Sequence, residues 1–298
     1  MSERILVLGQ GAWGQALAHV ACSAGHEVVT WKRGMEIQDT NFSTAIVAVP
    51  AQAVRTVLEL KPRGIQSLII AAKGIEQGSQ KFMTDVAREV LPFTPAMVLS
   101  GPSFAADVLK GLPTAVTLAA PTLEMAQVWA AKLSLPVFRI YASDDVMGVE
   151  IGGAFKNVLA LACGIAAGKK LGDSAQAALT TRGFAELSRI GAALNARPET
   201  LMGLSGLGDL LLTCSSMQSR NFSCGFRIGE GMTPQAAMQS ARGVVEGIYS
   251  AGVAAEYALR LGIETPIIAA VAAIVHQGRD PDDAIAELLN RPIVLEKL

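Results

Sequence analysis

The stretch VEIGGAFKNVLALACGIAAGKK, Val149 to Lys170, is built almost wholly of small and aliphatic residues, yet Lys156 and Asn157 stand side by side within it. An unpaired ammonium is expensive to bury, so such a lysine must find partners or shift its pKa. A desolvated lysine of lowered pKa is a serviceable proton donor or acceptor near neutral pH. If Val149 to Ala167 is a helix, then Gly152, Gly153, Ala160 and Gly164 lie on the face of Lys156. A glycine in a helix interior costs roughly 1 kcal/mol against alanine, so the stripe marks a close approach by another helix or by a ligand. Beside a lysine, the small residues read as clearance for a ligand at Lys156. Asn157, about 100° further round, can serve that ligand, a partner domain or the lysine.

A second polar island is GLSGLGDLLLTCSSMQSRN, Gly203 to Asn221. Asp209 and Thr213 share a helical face and can hydrogen-bond a lysine or a substrate hydroxyl; Asp209 equally suits an N-cap. Arg220 beside Asn221 suits capture of a phosphate, or is a solvated loop arginine. Two more loops follow strands. AAKG ends at Lys73 and Gly74, and brings a cation to a phosphate or carbonyl oxygen or points into water. SGPSFA, Ser100 to Ala105, offers backbone N–H groups and a hydroxyl, or is an ordinary Gly-Pro turn.

GQGAWG, Gly9 to Gly14, follows a strand and opens a helix. In that context Gly9 makes the tight turn, Gly11 admits a pyrophosphate, and Gly14 lets helix meet strand, with the anion at the helix N-terminus. The acid that usually follows about 20 residues on, and holds a ribose 2′-hydroxyl, is replaced by Lys32 and Arg33 in VVTWKRG. Basic groups there suit a 2′-phosphate, so NADP is permitted beside NAD; the alternative is two surface cations.

These groups need elements to hold them. Apolar runs at Ile5–Leu8, Val28–Trp31, Ala45–Val49, Leu68–Ala71, Met97–Leu99, Ala115–Leu118 and Val137–Tyr141 read as strands, with helical patterns such as Gly14–Ser23 and Gln80–Leu91 between them. From about Asp144 the texture becomes Ala-, Leu- and Gly-rich and helical. The expected fold is α/β: a Rossmann-type parallel-sheet domain over residues 1–143, then an all-α domain over 144–298 that carries the substrate and catalytic groups.

The chain has 298 residues, is 51% hydrophobic and 17% charged, and carries a net charge of −1. That excludes disorder and excludes holding nucleic acid or membrane by charge alone, leaving small molecules or other protein chains as partners. Cys22, Cys163, Cys214 and Cys224 lack a CxxC spacing and read as reduced, mostly packed thiols. His19, His26 and His276 make no case for histidine chemistry; structural roles are expected for His19 and His26. No cluster has metal-ligand spacing, so no metal is expected. The start, MSERILVLG, enters a strand at once, and no uncharged apolar run reaches the ~18 residues of a membrane span. A cytoplasmic protein without a membrane span is expected.

In order, GQGAWGQALA, AAKG, SGPSFA, GLPTAV, EIGGAFKNVLALACGI, TTRGFAE, GLSGLGDLLLTC, QSRN and VVEG make the chain resemble, over nearly its whole length, the bacterial-type soluble NAD(P)-dependent glycerol-3-phosphate dehydrogenases. The resemblance implies hydride transfer between sn-glycerol 3-phosphate and dihydroxyacetone phosphate, supplying glycerol phosphate for phospholipids. It implies Lys156 as proton acceptor, Lys73 as second active-site lysine, and Asn157, Asp209 and Thr213 around the same centre. Ser219, Arg220 and Asn221 would hold the substrate phosphate, with Gly101 and Ser103 also near the substrate. Ala12, Trp13, Arg33, Gly101, Ser103, Ala105, Arg220, Val244 and Glu246 would touch the cofactor, NADP or NAD, and a homodimer is a family-level expectation. One departure stands out: only about a dozen residues separate Trp31 from Ala45, where the family usually carries a longer stretch with helix and strand. The Lys-Asn pair alone would also permit a dehydrogenase of 3-hydroxy acids or ketoacids.

Overall fold

In the computed structural model, residues 2–37, 41–241, 243–292 and 295 are described. The chain divides into two compact units, Met1–Glu150 and Ile151–Leu298. In the first unit the apolar runs become β1 (Arg4–Leu8), β2 (Glu27–Trp31), β3 (Thr44–Val47), β4 (Ser67–Ile70), β5 (Ala96–Ser100), β6 (Thr114–Ala119) and β7 (Phe138–Ser143). Between them lie α1 (Ala12–Ser23), α2 (Val54–Leu58), α3 (Met83–Val90), α4 (Ala105–Leu109) and α5 (Leu123–Leu133). Each of the seven expected strands is present, in the order β2-β1-β3-β4-β5-β6-β7. All pairs are parallel except β5 with β6.

Strands buried on both faces read as continuous apolar runs, and period-2 alternation sends successive residues to opposite cores. Ile5, Val7, Ile46 and Ile69 pack with Ala16, Leu17 and Val20 of α1. Leu6, Leu8, Val47, Leu68 and Ile70 pack on the other side with Leu58 of α2 and Met83 and Val86 of α3. His26 has the structural role expected of it. Its Nδ1 accepts from the Glu3 N–H at 3.0 Å and its Nε2 faces the Lys132 carbonyl at 2.9 Å.

The helical part comprises α6 (Val146–Gly168), α7 (Asp173–Ala193), α8 (Pro198–Met202), α9 (Asp209–Cys214), α10 (Arg220–Gly229), α11 (Pro234–Gln239), α12 (Glu246–Arg260), α13 (Pro266–Gln277) and α14 (Pro281–Leu289). The expected border at 143/144 falls at the end of β7, whereas the units divide after Glu150, inside α6. The buried Glu150 carboxylate accepts from the backbone N–H of Thr84 at 2.9 Å and from its hydroxyl at 2.5 Å. It thereby satisfies an orphan donor in the first turn of α3 and ties the start of α6 to the sheet-bearing unit.

By length and hydropathy α6 is apolar enough to cross a membrane, but 94% of its most apolar window is buried inside the protein. Its apolarity is that of a core helix. Gly152 and Gly164 of the glycine stripe are accounted for by packing between backbones, where a ligand was expected. A Cβ built at Gly164 would stand 2.1 Å from the Phe222 carbonyl oxygen, and one at Gly168 2.2 Å from that of Phe226. In return, Cβ atoms at Gly225 and Gly229 would meet the Leu161 and Ile165 carbonyls at 2.2 and 2.4 Å. The backbones of α6 and α10 are thus in contact through small residues on both sides, and Gly152 meets the Ser205 carbonyl in the same way, at 2.3 Å.

Candidate active site

Close contact of α6 with its neighbours leaves Lys156 buried, and the sequence island that follows supplies its partners. Its Nζ donates to Asp209 Oδ1 at 2.6 Å and to Thr213 Oγ1 at 3.1 Å. Asp209 is 1% exposed, so this is an ion pair out of water, with a carboxylate provided for the ammonium as burial requires. The Thr213 hydroxyl spends its own proton on the Asp209 carbonyl oxygen, one turn back at 2.6 Å, which leaves a lone pair for the lysine. Asp209 opens α9 directly after one turn of π-helix, Leu204–Gly208. That wide turn sets Asp209 in register with Lys156. Asp209 therefore pairs with the lysine, which is the first of its two sequence readings.

Asn157 and Asn221 form a second cluster. The Asn221 amide nitrogen donates to Asn157 Oδ1 at 2.9 Å, and its carbonyl oxygen accepts from the Gly247 N–H at 2.8 Å. This ties α6, α10 and the first turn of α12 together, directly after Val244 and Glu246 of VVEG. Gly247 is needed there, since a Cβ would stand 2.5 Å from the Asn157 carbonyl. Ser219 is the N-cap of α10, accepting from the Phe222 N–H at 3.2 Å. Arg220 follows it, exposed, with Nη1 passing 3.0 Å from where a Gly243 Cβ would be. A capped helix N-terminus carrying a guanidinium in its first turn suits an anion.

In the sheet-bearing unit, the loops after β4 and β5 meet. Lys73 Nζ donates to the Gly101 carbonyl at 3.3 Å, and Ser103 Oγ donates to the same oxygen at 3.1 Å. Ala105 opens α4 just beyond. Gly9 has φ of 120°, and a Cβ there would lie 2.6 Å from the Ala48 carbonyl; one at Gly14 would strike the Gly9 carbonyl at 1.9 Å. At Gly11 a Cβ meets nothing within 4 Å, so the open side of this loop is the side that faces an anion. Gly11 and Ala12 are exposed, and α1 starts at Ala12 with its first amides uncapped by any side chain. The buried Trp13 Nε1 and Ser100 Oγ have no hydrogen-bond partner. The orphaned Trp13 donor, beside the open glycine turn at the N-terminus of α1, fits a dinucleotide phosphate. Arg33 is exposed at the end of β2.

The N-terminal and C-terminal family models of the NAD-dependent glycerol-3-phosphate dehydrogenases match residues 4–44 with 37–126, and 145–286. The chain belongs to this family. Among its relatives, glycerol-3-phosphate dehydrogenase (NAD(P)+) of Parvibaculum lavamentivorans is 48% identical over 324 aligned positions, covering 97% of each chain. That of Methylobacterium radiotolerans is 49% identical with the same coverage. The crystal structure of Coxiella burnetii glycerol-3-phosphate dehydrogenase superposes with a TM-score of 0.91 at 34% identity, over 97% of this chain and 99% of that one. The family's motifs thus fall on three sets of groups. Lys156, Asp209 and Thr213 are in contact, as are Asn157 with Asn221 and Lys73 with Gly101. Sequence reasoning passed over Glu150, visible only as an acid in an apolar helix, and the Gly247 N–H, whose signal was a glycine directly after the acid of VVEG.

Proposed function

We propose that this chain interconverts sn-glycerol 3-phosphate and dihydroxyacetone phosphate, using NADP or NAD. The observation that carries the reading is the buried Lys156–Asp209–Thr213 cluster, found in a chain whose family is defined by that reaction. The nicotinamide supplies the acceptor or donor for the hydride at C2. In the direction of reduction, Lys156 Nζ gives a proton to the C2 oxygen as it gains charge, while Asp209 and Thr213 fix the position of the ammonium. In the direction of oxidation, the neutral amine takes the hydroxyl proton, so that one proton and one hydride leave the alcohol. Lys73 is the second lysine of the reaction, placed by the Gly101 carbonyl. Arg220, on the capped N-terminus of α10, binds the substrate phosphate; Ser219 and Asn221 serve it by capping that helix and by locking it to Asn157 and Gly247. Gly9, Gly11, Ala12, Trp13, Gly14, Arg33 and Ala105 serve the cofactor, with Gly101 and Ser103 beside them and Val244 and Glu246 from VVEG. The enzyme supplies glycerol phosphate to phospholipid synthesis, works in the cytoplasm and is a homodimer.

The test is NADPH and NADH oxidation with dihydroxyacetone phosphate against a panel of ketoacids lacking phosphate. Turnover is expected with the phosphate alone. Turnover of a ketoacid with none of dihydroxyacetone phosphate would overturn the reading.

A further inference from the structure

Among the described residues, the sheet has no strand outside β2. The common doubly wound order, 3-2-1-4-5-6, sets a third strand outside the second and reaches it by a helix. Here the chain leaves β2 at Trp31 and enters β3, which pairs with β1 on the opposite side, so β2 is the edge of the sheet. The relatives carry residues that this chain lacks: their alignments run over 324 and 323 positions, against a chain of 298. The N-terminal family model matches in two pieces that meet over residues 37–44, within the shortened connection. Among the described residues, then, no strand stands outside β2.

What stands there instead is a tight turn. The Met35 N–H donates to the Lys32 carbonyl at 3.1 Å, and Gly34, in the third position, has φ of 89°, which makes Lys32–Met35 a type II turn. The Met35 carbonyl accepts from Trp31 Nε1 at 2.7 Å, and Trp31 is itself packed into the core. Gln10, between Gly9 and Gly11, reaches Thr30 Oγ1 at 2.8 Å and Met35 Sδ at 3.9 Å. Met35 is therefore held by its backbone on both sides, against the phosphate loop, yet the residue is 44% exposed. A fixed, exposed thioether at the carboxyl end of β2 offers a polarisable face to an aromatic ring.

We infer that the Lys32–Met35 turn replaces the missing strand and helix as the adenosine end of the cofactor site, with Met35 as the surface on which the adenine ring rests. The inference depends on the proposed use of NADP or NAD. It makes Met35 an affinity-determining residue that acts on the adenosine and not on the nicotinamide end. Gly34 acts through it, by permitting the turn.

The experiment is calorimetric titration of the wild type, Met35→Ala and Gly34→Val with adenosine 2′,5′-bisphosphate, nicotinamide mononucleotide, NADPH and NADH. A Cβ at Gly34 meets nothing within 4 Å, so Gly34→Val tests the turn conformation alone. Affinity for adenosine 2′,5′-bisphosphate is expected to fall by about tenfold or more in both variants, while affinity for nicotinamide mononucleotide stays at the wild-type value. Wild-type affinity for the bisphosphate in Met35→Ala, or an equal loss for both fragments, overturns the inference and leaves the functional reading standing. Failure of the wild type to bind NADPH and NADH alike overturns the functional reading, and this inference with it.

Discussion

Lys156 owes its place to the distance between two requirements. Proton transfer at a substrate oxygen needs an amine out of bulk water, and an amine out of water needs a carboxylate and a hydroxyl. Asp209 and Thr213 meet the second need by lying one turn apart on α9, so in the proposed reaction their removal is expected to impair catalysis and to spare cofactor binding. Asp209→Asn is expected to lower kcat by about 10²-fold or more, with NADPH affinity unchanged by fluorescence titration. Wild-type kcat in that variant would contradict the role. Thr213→Val removes one acceptor and keeps the carboxylate, and should cost less, about tenfold in kcat, in line with one hydrogen bond. The pairing of Asp209 with Lys156 was among the open readings of the sequence, because aspartate at a helix start is also a common cap. The π-helical turn that decides between them, Leu204–Gly208, has no residue signature beyond its glycines.

At the scale of elements, the strands were legible because a sheet buried on both faces leaves unbroken aliphatic runs, and Ile5–Leu8 and Leu68–Ile70 are such runs. The glycines of α6 were legible only as a demand for close approach. What approaches is α10, some sixty positions along the chain, and one helix's sequence does not say which element packs on it. The packing is testable. Gly164→Val puts a branched side chain where even a Cβ stands 2.1 Å from the Phe222 carbonyl. It is expected to cost about 3 kcal/mol or more in urea unfolding, with or without NADPH. Unchanged stability with a raised KM for substrate would restore the ligand-clearance reading. The connection between β2 and β3 was visible as too short, but the fixed turn inside it was not, because Trp31 and Gln10 reach Met35 through side-chain contacts that no local pattern announces.

For the molecule as a whole, stability carries a pH dependence set by two buried glutamates that cap helices from a distance. Glu186 accepts from the N–H groups of Ile267 and Ile268, in the first turn of α13, at 2.7 and 3.1 Å, as Glu150 does from Thr84 at the start of α3. Burial raises both carboxyls from 4.5 to about 7, against the hydrogen bonds they accept. A folded carboxyl that keeps its proton to higher pH than the unfolded one contributes full stability below about 4.5 and loses it as pH rises towards about 7. Each pH unit in that window is worth at most about 1.4 kcal/mol per group. Thermal unfolding of Glu186→Gln, set against the wild type, is expected to show a shallower fall in Tm between those pH values. A parallel curve would mean that Glu186 titrates alike in the folded and unfolded chain. Neither glutamate was identified from the sequence, since an acid within a helix gives no sign of which distant helix start it serves.

The most direct test of the account is single-turnover reduction of dihydroxyacetone phosphate by Lys156→Ala, with NADPH binding measured on the same preparation. NADPH affinity is expected to stay at the wild-type value and the hydride-transfer rate to fall by about 10³-fold, partly restored by an added primary amine. A rate equal to that of the wild type would contradict the proton-transfer role of Lys156.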